Sequence, residues 1–235
     1  MSPSYSVIVP VLGEAARINR LVDHVRAVGY GLPVEIVVVD GRPGADTLAA
    51  LDRPGVTALC APRGRARQMN AGAAVAGGDV LVFLHADCAL PVGAFAAMER
   101  VLASGRRVGA FGLAIRSTRW SLKLVALAAT LRSRITGVPY GDQAIFMERA
   151  VFHALGGYAD IPILEDVDLL ARARRAGMRA GFARGRCTAS PRRWEADGVW
   201  RRTFANWGIM ARYLLGASPE RLARDYPPLT EEDTP

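Results

Sequence analysis

Across the first ninety positions, short unbroken apolar runs alternate with apolar residues at helical spacing. Residues 4–10 (S-Y-S-V-I-V-P), 34–39 (V-E-I-V-V-V), 56–60 and 80–84 (V-L-V-F-L) are rich in strand formers, and the last fits a central strand buried on both faces. Between them Ile18, Leu21, Val22, Val25 and Val28 recur at helical spacing as far as Gly29, and short helices are expected at 46–52 and 66–76. Strands alternating with helices predict an α/β fold, a mostly parallel central sheet with helices on both faces. The second half is less regular. Helices are expected at 92–103, 149–155 and 164–176, strands at 108–115 and 179–182, and a short apolar piece at 144–147. Trp200, Phe204, Trp207, Ala211 and Leu214 then recur at i, i+4, i+7, i+11 and i+14, which predicts a helical C-terminal extension. No repeat or linker interrupts residues 1–225, so they read as one domain, and the Pro-rich acidic tail 226–235 is expected to be disordered.

Composition narrows the function classes. The chain has 235 residues, 51% of them hydrophobic, enough for a sizeable core and too apolar for a disordered protein. Its three cysteines, Cys60, Cys88 and Cys187, are far apart and lack C-x-x-C spacing, which argues against a disulfide framework or a structural zinc site. The chain begins almost directly on strand-like residues, without a basic and apolar leader, and no run approaches the ~18 apolar residues of a membrane span. The expected location is therefore the cytoplasm. The formal charge of +8 is carried by arginines, with Lys123 the only lysine. Arginine suits two-pronged contacts with phosphate, but these residues are scattered and no nucleic-acid recognition motif accompanies them. The stretch 116–135 mixes Trp120, Leu124, Leu127 and Leu131 with Arg116, Arg119, Lys123, Arg132 and Arg134. It and the Trp-rich helix after it fit either a packed helix pair with a solvated basic face or a pair lying on a membrane surface.

Two predicted strands end on acids, Asp40 and, through His85-Ala86, Asp87. Open parallel sheets place ligands beyond the carboxyl ends of their strands, so both acids would line one rim. A carboxylate at Asp87 can hold a hard cation that in turn binds phosphate oxygens; a solvated turn residue is the plainer alternative. The first strand is followed by Pro10-Val11-Leu12-Gly13-Glu14 in place of a glycine-rich loop, which argues against an NAD-binding domain or a sugar-nucleotide pyrophosphorylase.

In order, the pieces Ser6-Val7-Ile8-Val9-Pro10, Gly13-Glu14, Val39-Asp40-Gly41, Arg67-Gln68-Met69-Asn70, His85-Ala86-Asp87, Glu165-Asp166 and Arg193-Trp194 resemble the inverting family-two glycosyltransferases with a GT-A fold. The resemblance covers about residues 4–194. It implies transfer of a sugar from a nucleoside-diphosphate donor, UDP-sugars favoured, to an acceptor hydroxyl with inversion, using Mn2+ or Mg2+. It implies a nucleotide-binding half at 1–90, an acceptor-binding half at 91–195 and C-terminal helices at 196–225. Nucleotide-sugar contacts fall to Pro10, Glu14, Asp40, Arg67, Asn70, His85 and Ala86, and the metal to Asp87. The catalytic base is Asp166 or Glu165. These are neighbours on a helix start, about 100° apart, so only one can point into a cleft, and the resemblance favours Asp166. Arg193 would stabilise the leaving diphosphate, and Tyr140, Asp142, Gln143 and Trp194 would border the acceptor. His85 stands where the family has the first acid of D-x-D. Ser190 stands where processive relatives have the Gln of Q-x-x-R-W, which argues against a processive polymer synthase. A lipid-linked acceptor and peripheral attachment to the cytoplasmic face of a membrane are further expectations. A binding module that keeps the fold without turnover is the alternative.

Overall fold

The computed structural model describes residues 3–225; the expected disordered tail lies outside the described residues. The first half runs β1 (Tyr5–Val11), α1 (Ile18–Val28), β2 (Val34–Asp40), α2 (Asp46–Ala49), β3 (Thr57–Cys60), α3 (Arg65–Val75), β4 (Val80–Phe83) and β5 (Cys88–Ala89). The second runs α4 (Ala94–Ala103), β6 (Val108–Ile115), α5 (Trp120–Thr136), a 3-10 turn (Gly141–Gln143), β7 (Phe146–Glu148), α6 (Arg149–Ala154), α7 (Glu165–Arg175) and β8 (Gly181–Ala189). Helices α8 (Arg192–Asp197), α9 (Val199–Leu214) and α10 (Pro219–Arg224) close the described chain.

The strands form one sheet in the order β3-β2-β1-β4-β7-β6-β8-β5. β1 pairs in parallel with β2 and β4, β2 with β3, and β6 with β8, while β7 runs antiparallel to both its neighbours and β5 antiparallel to β8. Period-two alternation divides each strand between two apolar layers. Val7, Val9 and Val11 of β1 face α1, α4 and α5, whereas Ile8 joins Val37, Val39, Leu81 and Phe83 against α3, α6 and α7. Each fully buried aliphatic side chain contributes roughly 1.5–3 kcal/mol, so a one-residue slip of β1 would forfeit both layers at once. Helix α3 lies close on the sheet because Gly72 faces Ile8; a Cβ there would come within 2.6 Å of Ile8 Cγ2. β8 is longer than its expected 179–182 stretch. Arg184, Gly185 and Arg186 interrupt its apolar pattern, and the pairing with β6 shifts register there.

Strand order reverses at β1, which has β2 on one side and β4 on the other. The carboxyl ends of these three strands therefore share one rim of the sheet, where a crevice opens.

Candidate active site

Residues 84–88 turn sharply off β4, with Cys88 N–H donating to His85 O. Pairing of β5 with β8, and a bond from Ser190 N–H to Asp87 O, tie that turn to the start of α8. The sheet thus brings His85 and Asp87 beside Arg193 and Trp194, which lie more than a hundred residues away in sequence. The cleft they form is also lined by Arg65, Tyr140, Gly141, Asp142, Ile163, Leu164 and Asp166, and by Arg202, Asn206, Ile209 and Met210 of α9. Its open volume is about 170 Å³. That suits a sugar-sized group, since whole drug-sized ligands take roughly 300–1,000 Å³.

Glu165 and Asp166 diverge at the first turn of α7. Leu164, just before them, has φ of 64°, an uncommon conformation for a residue with a side chain and one that sets the direction of the turn. Glu165 is buried, with Oε1 2.9 Å from Arg65 Nε. Burial pushes its carboxyl above the usual range and the Arg65 charge opposes that shift. Asp166 lines the cleft, accepting from the Gly141 N–H at 2.6 Å and from the Val167 N–H at 2.8 Å.

His85 is half-buried, and its pKa is lowered to about 4 by burial and by the positive charges of Arg65 and Arg193, with Asp87 opposing. It is therefore neutral near pH 7 and keeps a lone pair for a cation. One donor atom each of His85, Asp87 and Cys88 lies within 4.8 Å of the others. Cys88 is a free, buried cysteine whose thiol pKa is raised well above its ordinary value by a hydrogen bond with the Cys187 thiol and by burial, so it stays protonated. The pair that fits a divalent cation is therefore imidazole and carboxylate, His85 and Asp87. Asp142, half-buried on the same wall, has its pKa raised to about 7 by burial and by the nearby Asp166, with Arg132 opposing. The Arg132 guanidinium lies 3.5 Å from the centre of the Tyr140 ring, which holds this wall together.

Other expected site residues fall elsewhere. Asp40 is buried at the end of β2; its Oδ1 accepts from the Arg42 N–H at 2.9 Å and its Oδ2 has no partner among the described residues. Pro10 is buried in β1 beside Val39, and Glu14 pairs with Arg17 at 3.1 Å and with Arg192 of α8 at 3.4 Å, on the rim beside the cleft. Ala86 is half-buried in the turn between His85 and Asp87.

Three further expected site residues, Arg67, Asn70 and Gln143, do not line the cleft. Arg67 pairs with the exposed Asp160 at 2.7 Å, and Asn70 exchanges two hydrogen bonds with the Tyr158 main chain, so both fasten the loop after α6 to α3. Gln143 is fully buried, bonded to Ser133, the Tyr140 N–H and the Phe111 carbonyl, and so holds the 3-10 turn from beneath. Conversely, sequence reasoning passed over Arg65, Arg202 and Asn206. Arg65 had a signal: a cation at the first position of a helix opposes the helix dipole, and such local conflicts gather at functional sites. Asn206 had none, because a polar position on an amphipathic helix looks solvated.

An α/β sheet with a crevice at the switch point, lined by three carboxyl groups, an imidazole and arginines from two walls, has the architecture of a GT-A transferase, and the comparisons with known proteins agree. The profile of Glycosyl transferase family 2 matches residues 6–125, and the chain belongs to that family; it is a glycosyltransferase. The mannosyltransferase PcManGT from Pyrobaculum calidifontis, solved in complex with GDP-Man and Mn2+, is similar in structure with a TM-score of 0.69 at 21% identity, over 94% of this chain and 67% of that one. S. aureus TarS 1–349 superimposes with a TM-score of 0.59 at 17% identity, over 91% and 66%. The chain thus spans about two thirds of the length of each, and at these identities the likeness establishes the fold. Comparison with the curated proteins finds no match. Asp142, Asp166, Arg193 and α9 lie beyond the segment the family profile matches.

Proposed function

We propose that this glycosyltransferase moves a sugar, with inversion and with the help of a divalent metal, from a nucleoside-diphosphate donor to an acceptor hydroxyl. The observation that carries the reading is the convergence of Asp166, Arg65, Arg193, His85 and Asp87 on one cleft. Asp166 takes the acceptor proton as the acceptor oxygen bonds to the anomeric carbon; the carbon–oxygen bond to the diphosphate breaks on the opposite face and the diphosphate keeps the electron pair. Arg65 and Arg193 oppose the charge gathering on that leaving group. His85 and Asp87 would hold Mn2+ or Mg2+, which supplies further positive charge against the diphosphate oxygens.

The buried second oxygen of Asp40 suits the ring N–H of uracil, thymine or guanine alike, and the choice of a UDP-sugar as donor rests on the family resemblance. GDP-sugars rank next, because PcManGT is described in complex with GDP-Man. The acceptor hydroxyl sits beside Trp194 and α9, where Trp194 Nε1 and Asn206 Oδ1 are buried without a hydrogen-bond partner among the described residues. One is a donor and the other an acceptor, the complement of a hydroxyl. Beside Arg202, the residues Ile163, Leu164, Ile209 and Met210 give that wall an apolar stretch, which supports a lipid-linked acceptor. A panel of UDP-, GDP- and TDP-sugars with and without Mn2+, read as release of nucleoside diphosphate, tests the reading. Metal-dependent hydrolysis of a UDP-sugar that collapses in Asp87→Ala is expected. Donor binding without turnover across the whole panel would overturn it.

A further inference from the structure

We propose that the outer faces of α5 and α9 form a seat for an anionic lipid bilayer. Trp120, Leu124, Leu127, Leu131 and Ile135 recur at i, i+4, i+7, i+11 and i+15 along α5, and all five are exposed. Trp200, Phe204 and Trp207 line the outer face of α9. The rings run on as one ridge, with centroids 6.4 Å apart from Trp120 to Trp200, 6.4 Å from Trp200 to Phe204 and 5.7 Å from Phe204 to Trp207. Trp120 is 71%, Trp200 47%, Phe204 60% and Trp207 56% exposed. Aromatic side chains carry about 150–250 Å² each, so the four rings alone leave on the order of 400–500 Å² of apolar surface in water. That already equals the largest patch of a typical soluble monomer, before the aliphatic row of α5 is added.

Charge decides the occupant. Neither α5 nor α9 contains an aspartate or glutamate. Lys123 and Arg134 of α5 are exposed, as are Arg116 and Arg119 just before α5, and these four set the charge of the face; Arg201 of α9 is exposed too but pairs with Asp197 of α8 at 3.1 Å. A second copy packed face to face would bring these cations together with no acid on either helix to neutralise them. Anionic headgroups neutralise them, each lysine or arginine near such a surface adding attraction, while Trp and Phe settle at the headgroup boundary. Among the described residues no helix is long and apolar enough to cross a membrane, so this seat lies on the surface.

The inner face of α9 carries Arg202, Asn206, Ile209 and Met210 into the cleft. One helix therefore has the ridge on one side and the cleft wall on the other, and seating the ridge holds the cleft mouth at headgroup level. That consequence rests on the transferase reading; the binding itself does not.

The test is flotation of the full chain with phosphatidylcholine vesicles, with and without about one third phosphatidylglycerol, at low and high salt. Binding to the anionic vesicles is expected to exceed that to neutral ones by about tenfold or more, to fall severalfold at high salt, and to shift tryptophan emission to the blue. The triple variant Trp120→Ser, Phe204→Ser, Trp207→Ser should lose about tenfold or more of the binding while keeping donor hydrolysis in solution. A second variant, Arg116→Glu with Arg119→Glu, leaves the ridge intact and should lose the preference for anionic lipid. Absence of binding by the parent chain at low salt, or equal binding by the parent and both variants, would overturn the proposal. So would a parent dimer in sedimentation velocity that the triple variant dissociates, which would assign the ridge to a second copy. Absence of donor hydrolysis by the parent chain, with vesicle binding intact, counts against the proposed donor and metal chemistry alone.

Discussion

Replacing the two neighbouring acids of α7 one at a time separates their roles. In Asp166→Asn the side chain keeps one oxygen, yet two main-chain N–H groups point at it, Gly141 at 2.6 Å and Val167 at 2.8 Å. One of these then meets an amide N–H, a local misfit of about 1–3 kcal/mol. The larger effect is chemical, because an amide does not accept the acceptor's proton. Loss of a general base lowers turnover by roughly 10²–10⁴-fold, or about 3–5 kcal/mol of barrier. Glu165→Gln behaves differently. Two unit charges 4 Å apart attract by about 4 kcal/mol at a dielectric of 20. The Arg65 side chain is 43% exposed, however, and that screening reduces the pair to about 1 kcal/mol. Relief of a buried carboxylate whose pKa is pushed up by burial offsets part of the loss. Stability should therefore change by less than about 1 kcal/mol, with turnover down by no more than about tenfold and the donor KM raised as Arg65 loosens. The assay is steady-state release of nucleoside diphosphate with saturating Mn2+, with thermal melts as a control on folding. The reasoning fails if Glu165→Gln loses as much turnover as Asp166→Asn, or if Asp166→Asn retains more than about a tenth of it.

Two further substitutions probe the cleft wall. In Gly141→Ala the new Cβ would lie 2.6 Å from His85 Nε2 and 2.8 Å from Cε1, so the imidazole must move; Mn2+ affinity, read by paramagnetic resonance of the free ion, should fall by about tenfold or more. Unchanged affinity would remove His85 from the metal site. Asp142→Asn addresses pH in the metal-free protein. The folded pKa of Asp142, about 7, lies above its unfolded value near 3.8. As pH rises from about 4 to 7 the unfolded chain releases this proton before the folded one does, so stability falls across that window, by at most about 4 kcal/mol. The Asn variant should therefore gain stability over the parent at pH 8 and not at pH 4 in urea unfolding; an equal difference at both would contradict the burial of this carboxyl.

Local physics made much of the first half legible. Apolar runs and helical spacing are set by neighbours in sequence, so β1, α1, β2 and β4 lie within a residue or two of their expected bounds. β8 escaped because its pairing with β6 and β5, rather than its own broken pattern, makes it a strand. The acids at the strand ends were legible for the same reason as the strands: Asp40 and Asp87 sit where runs of strand formers stop. Which groups meet them was not. Arg67 and Asn70 share a helical face as expected, but that face looks at the 156–160 loop, and only packing of α3 on β1 and β2 decides so.

By itself, then, the sequence determined the strands and helices of the first half, their alternation and the acids that close two strands, since each depends on contacts a few residues apart. Tertiary structure alone decided that Arg65 pairs with Glu165, that Asp166 lines one cleft with His85 and Asp87, and that α9 turns Asn206 inward and its tryptophans out. Those relations join residues up to a hundred or more positions apart. They follow from how whole layers pack, which no local pattern along the chain encodes.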